Sequence, residues 1–97
     1  LFDADKLDVL GAIGIARVIA YAALAGTPFY HQPSKQFLMI GKEEPDEPHS
    51  AYHEHLFKLR KVPERLFTSA AKEIAEERLR ILDNFFEQLI LEWEGKK

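Results

Sequence analysis

Between Asp8 and Gly26 the chain has no polar side. Val9, Leu10, Ile13, Ile15, Val18, Ile19, Tyr21 and Leu24 point in every direction when wound at about 100° per residue. A helix apolar all round is either the inner helix of a bundle or a membrane span. The membrane alternative is the weaker one. Val9 to Ala25 is barely long enough to span, and Arg17 at its middle would cost about 2.5–3.5 kcal/mol. The bundle reading carries a requirement, because roughly four or five neighbours are needed to cover such a helix. The 97 residues offer one other long helix and a short broken one. We therefore expect the C-terminal part of a larger domain, whose upstream half, or another chain, covers the first helix.

The whole chain divides into four segments. Residues 1–26 form the central helix, ended by Gly26 and Thr27-Pro28. Asp3 and Asp5 stand at its head, where carboxylates cap free N–H groups and suit the helix dipole. Ala12, Ala16, Ala20 and Ala23 give it a small-residue face in line with Asp5, and Gly11 and Gly14 permit close approach on another side. Residues 27–50 read as a loop, since they hold four of the five prolines and end in the acidic stretch GKEEPDEPHS. Within that loop Phe37-Leu38-Met39-Ile40 reads as an anchor tucked against the core, with a short strand as the alternative.

Residues 51–67 read as a broken helix, running to about Arg60, interrupted by Pro63 and resumed for a turn at Glu64–Phe67. Residues 68–97 hold a long amphipathic helix behind a Thr68 cap. Its apolar stripe is Ala71, Ile74, Ala75, Leu82, Phe85, Phe86, Leu89 and Trp93, opposite Glu73, Glu76, Glu77, Arg80, Asp83, Glu87 and Glu92. No segment alternates as a strand would. The expected fold class is all-α.

Composition narrows function mainly by exclusion. With 13 Lys plus Arg against 16 Asp plus Glu, the net charge of −3 argues against a nucleic-acid binder. The absence of cysteine excludes disulfides, thiolate-bound zinc and thiol catalysis. The head LFDADKLD has acids where a signal peptide needs bases, so a cytoplasmic protein is expected.

The densest polar cluster is Asp3-Ala4-Asp5-Lys6-Leu7-Asp8. Carboxylates at such a junction can hold a hard divalent cation, and Lys6 can meet a phosphate oxygen. Helix capping would account for Asp3 or Asp5 but hardly for a third acid at Asp8. An EF-hand fails for want of its glycine and terminal glutamate. A D-x-D phosphatase motif fits the spacing, yet it needs an apolar strand that Leu1-Phe2 cannot supply. Arg17 either pairs with a carboxylate or helps hold an anionic substrate. His49 and His53 are four apart, and His53-Glu54-His55 adds ligand types. No third ligand has clear spacing, and His-x-His on a helix diverges by about 200°, so these read as an incidental surface cluster. No sequence context supports a Ser-His-Asp triad.

The stretch DADKLDVLGAIGIAR resembles the second half of the HD superfamily of metal-dependent phosphohydrolases. The likeness is to a small bacterial and archaeal branch carrying D-A-D-[RK]-L-D-x-x-G-A-I-G-I-A-R. The downstream HLFKLRKVPERLFTSAAKEIAEERLRILDNFFEQLILEW is similar to that branch's tail, including its A-E-E-R element. The resemblance implies a helical bundle in which a His, a His-Asp doublet and a final Asp bind a divalent metal. That metal activates water against a phosphate ester or anhydride. Asp5 matches the final Asp and is the implied metal ligand. Lys6, Asp8 and Arg17 are implied substrate or supporting residues. The metal could be Mn, Mg, Fe or Zn, and the substrate a nucleotide or related small phosphoester, with no nucleic acid or membrane as partner.

The upstream His and His-Asp doublet are absent from this sequence, and no histidine in it is directly followed by Asp. The residues given are thus expected to be inactive alone. The competing expectation is a non-catalytic helical module for interaction or dimerisation.

Overall fold

A computed structural model describes residues 6–96, and among these the chain is all-α, without strands. In order it forms α1 (Gly11–Ala25), α2 (Lys35–Ile40), α3 (Ala51–Phe57), a 3-10 helix (Leu59–Arg65) and α4 (Ser69–Trp93). Asp3 and Asp5 lie outside the described residues.

The first helix does not run unbroken from Asp5. Lys6 and Leu7 are helical, but the chain then turns, with Val9 and Leu10 amides reaching back to the Lys6 and Leu7 carbonyls. Leu10 is extended, and Gly11 enters α1 at φ +68°. The two glycines explain the break. Gly11 supplies a left-handed conformation that a side chain would oppose. A Cβ on Gly14 would lie 2.2 Å from the Val9 carbonyl oxygen. The close approach that these glycines permit is therefore by the chain's own preceding turn. At the far end Gly26 (φ +75°) closes α1 in a Schellman arrangement, with Thr27 N–H bonded to the Ala22 carbonyl at 2.9 Å.

Within the stretch read as a loop, Ser34 caps a helix, its hydroxyl accepting from the Phe37 amide at 3.0 Å. The expectation that residues 37–40 anchor together needs correction. Phe37 alone is buried, while Leu38, Met39 and Ile40 are exposed, because one short helical turn can bury only one side. Gly41, at φ +75°, ends this helix against the Phe57 ring, 2.5 Å from where its Cβ would stand. The broken helix also stops earlier than expected. Regular α3 ends at Phe57, and the 3-10 helix absorbs Pro63 and carries the chain to Arg65. Thr68 caps α4 as predicted, accepting from the Ala71 amide at 3.0 Å.

The main packing runs between α1 and α4. Leu10, Val18 and Ala22 meet Ala71, Ala75, Leu82 and Phe86, and Ala51, Leu59, Val62 and Leu66 close the sides. Only one face of α1 is covered in this way. Ile13 and Tyr21 are exposed, Leu24 is 90% exposed, and Ala12, Ala16, Ala20 and Ala23 face outward with them. Among the described residues no helix is long and apolar enough to cross a membrane.

Candidate functional site

At the acid-rich junction, the lysine and the last aspartate are tied to the far end of the chain. Lys6 Nζ donates to the Arg65 carbonyl at 2.8 Å and lies 4.9 Å from the Phe67 ring centre. Asp8 is half exposed, its carboxylate 3.9 Å from Arg78 Nη1. The same Arg78 Nη1 donates to the Leu7 carbonyl at 3.1 Å, and its stem lies against Gly11. Arg78 thus fixes the backbone just after Asp5 from the middle of α4. It follows Ala75 by three residues and precedes Leu82 by four, so it stands in the buried stripe. A cation at such a position is the sequence signal that was there to be read.

Arg17 is exposed, and the carboxylate pairing expected as one of its two roles is not formed among the described residues. It borders a cavity of about 420 Å³ between α1 and α3. Tyr21, His49, Glu54 and Lys58 share that border, and Val18 and Leu59 give it an apolar wall.

The histidines are not a surface cluster. Of His49, His53 and His55 only His49 is exposed, its ring held between the Glu43 and Glu54 carboxylates, with Nε2 2.9 Å from Glu54. Burial opposes its charge, but the hydrogen bonds its ring N–H groups donate to Glu54 and Glu43 outweigh burial and raise its pKa. His53 and His55 are both fully buried and point to opposite sides of α3, as their spacing requires.

His53 meets Phe37 edge-on at 4.5 Å and joins a buried chain of polar groups. Ser50 Oγ lies 2.7 Å from His53 Nδ1, and His53 Nε2–H donates to Glu47 at 2.6 Å. Glu47 also accepts from the amides of Ser34 at 2.8 Å and Glu44 at 2.9 Å. Burial alone would raise the Glu47 pKa, but bonds from Ser34, His53 and Glu44 bring it down to about 2.

Ser50, His53 and Glu47 have the composition of a nucleophile triad without its function. The Ser50 hydroxyl is buried and already accepts from the His53 amide, as the cap of α3. The amides that could stabilise an oxyanion are also occupied, Ala51 by the Pro28 carbonyl and Tyr52 by that of Phe29. The chain of groups pins the acidic loop to α3.

His55 stacks on Phe86 at 4.7 Å, with Nε2 2.7 Å from Asp83 Oδ1 and with Nδ1 buried and unpartnered. Burial lowers its pKa from the ordinary 6.5, with Asp83 opposing in part. A proton on Nδ1 would find no acceptor. The unfolded chain therefore takes up a proton near pH 6.5 that the folded chain does not. The resulting stability is present above 6.5 and is lost as pH falls toward the lowered folded value. In urea unfolding, the advantage of the native protein over His55→Gln should shrink between about pH 7.5 and about pH 5.5. An unchanged difference would show that His55 is not held neutral.

Among the described residues no group of three His, Asp or Glu could hold a metal ion.

No protein-family model matches the sequence. The chain is 36% identical over 87 residues to the uncharacterized protein YpgQ of Bacillus subtilis, covering 90% of this chain and 35% of that protein. It superposes on the crystal structure of an HD-superfamily hydrolase from Bacillus thuringiensis with a TM-score of 0.72 at 37% identity. That match covers 95% of this chain and 43% of the hydrolase. The structure of B. subtilis YpgQ in complex with ADP matches with a TM-score of 0.68 at 33% identity, covering 90% of this chain and 38% of that one. The chain thus spans less than half the length of the relatives it matches. Over that span it is similar in sequence and in all-α fold to an HD-superfamily hydrolase.

Proposed function

We propose that these residues are the C-terminal part of a metal-dependent phosphohydrolase acting on nucleotides or related small phosphoesters. The observation that carries the proposal is the likeness, over nearly all of this chain, to an HD-superfamily hydrolase and to a YpgQ structure that holds ADP. Asp5 supplies the final carboxylate to a divalent metal, whose identity among Mn, Mg, Fe and Zn is left open by oxygen and nitrogen ligands. The metal, when bound, supplies an activated water.

The His and His-Asp ligands belong on this reading to upstream helices of the same domain, which also cover the outward face of α1. One carboxylate alone holds a metal loosely and does not orient its water, so the residues given are inactive by themselves. The grip of Arg78 on the Leu7 carbonyl supports a site at this junction, because it holds the backbone two residues from Asp5 in one place.

The test is the Asp5→Ala variant of the full-length protein. Metal-dependent release of phosphate from a nucleotide should disappear. Release at near the native rate would remove Asp5 from the metal site.

A further inference from the structure

The acidic loop between α2 and α3 is fastened at two points. One is buried, at Glu47, whose carboxylate accepts from the Ser34 amide and from His53 Nε2–H. With its pKa held down to about 2, Glu47 keeps its charge throughout the neutral range. The other is at the surface. His49 Nδ1 meets the carboxylate of Glu43, in the loop, and Nε2 lies 2.9 Å from Glu54, in the first turn of α3.

This geometry fixes the charge on the ring. An ionised carboxylate only accepts, and a neutral imidazole has one N–H and one lone pair. A ring with both nitrogens against carboxylates therefore carries two protons. Around it stand Lys58, which is 3.5 Å from Glu54, and the His53 ring at 5.6 Å, both on the α3 side. Phe37 of α2 lies edge-on at 6.5 Å, and Arg17 and Tyr21 of α1 border the same cavity. If the ring loses a proton, Glu54 still has Lys58, but Glu43 has no other ion pair among the described residues. Two exposed bonds from Gln36 to the Lys42 and Glu43 carbonyls are then what holds that limb of the loop.

We propose that His49 is a pH-operated latch, which as the imidazolium ties Glu43 to Glu54 and on deprotonation frees residues 42–46 from α3. The anchor at Glu47 stays shut in both states. The direction of titration agrees, since the bonds to Glu54 and Glu43 raise the His49 pKa above the ordinary 6.5 in spite of burial. Burial would raise the Glu43 pKa, but the bond from His49 brings it below the usual carboxylate range. The stability the latch contributes is present below pH 6.5 and is lost as pH rises through the raised folded value. That slope is opposite to the one His55 produces.

The test is NMR of the full-length protein with nitrogen-15 in its histidine rings, titrated from about pH 5 to about pH 9. The His49 midpoint should lie above 6.5, and Glu43→Gln and Glu54→Gln should each lower it. The Glu44 amide, which donates to Glu47 at 2.9 Å, reports on the freed limb, and the Ser34 amide reports on the anchor. Across the His49 midpoint, hydrogen-exchange protection at Glu44 should fall at least about three-fold relative to Ser34. His49→Gln should remove this pH dependence, and so should Glu43→Gln, which cuts the same link from the loop side.

A His49 midpoint at or below 6.5 overturns the proposal, as does a smaller relative fall in protection at Glu44. An equal loss at Ser34 overturns it too, because the anchor would then be opening with the loop. PH dependence that survives in His49→Gln or Glu43→Gln would show that another group operates the loop.

Discussion

Phe86→Ala should lower the stability of the intact protein by about 4 kcal/mol, measured as the loss in unfolding free energy in urea. Phe86 is 1% exposed and lies where α4 meets both α3 and the core. Its ring contacts Tyr52 at 5.5 Å and Phe85 at 5.1 Å, besides stacking on His55. Truncation removes the transfer energy of the ring and leaves a cavity that three other rings border, so the site cannot easily collapse. It also uncovers His55, whose Nδ1 already lacks a partner. In a domain stable by about 5–15 kcal/mol, a loss of this size is a large share of the whole. A measured loss below about 1.5 kcal/mol would mean that the α3–α4 contact is not part of the core.

Gly14→Ala should cost about 2 kcal/mol, although Ala ordinarily favours a helix over Gly by about 1 kcal/mol. The added Cβ would meet the Val9 carbonyl oxygen at 2.2 Å and its carbon at 2.4 Å. These are backbone atoms, so no rotamer change can relieve the contact, and the turn before α1 has to move. That turn carries Asp8 and follows directly from the proposed metal ligand. The variant should therefore lose hydrolysis as well as stability. An unfolding free energy equal to or above native would show that Val9 does not cross α1 at this position.

Much of the architecture could be read because capping and helical periodicity are local. The cap at Thr68, the stop at Gly26 and the α4 stripe, save Ile74 and Trp93, which are exposed, each depend on residues a turn or two apart. The break at Asp8–Leu10 could not be read this way. A glycine within an apolar helical pattern is compatible with a continuous helix, and only the returning Val9 carbonyl decides otherwise. The histidines misled for a related reason. His53 and His55 look solvated by type, but their burial depends on Glu47 and Asp83, six and 28 residues away.

The candidate site came from its motif and not from its geometry. DADKLDVLGAIGIAR pointed to Asp5, yet nothing in that stretch indicates that Lys6 is taken up by Arg65, or that Arg78 reaches Leu7. Arg17 was picked out as a cation in an apolar helix. That it borders a cavity with Lys58 follows only once α1 and α3 are packed together.

The buried chain from Ser34 through Glu47 and His53 to Ser50 bears on the order in which the molecule assembles. Its links span 13, six and three residues, so little chain entropy is lost in closing them. The links that join the acid-rich junction to the rest span 59 residues at Lys6 and 71 at Arg78. The acidic loop and α3 can therefore set as a local unit before residues 6–8 meet the 3-10 helix and α4. In the reverse direction, the seam between Lys6–Leu7 and Arg65–Arg78 can open while that unit stays closed. Lys6 and Leu7, which follow the proposed metal ligand in the sequence, are thus on a part of the fold that forms after the acidic loop and opens before it.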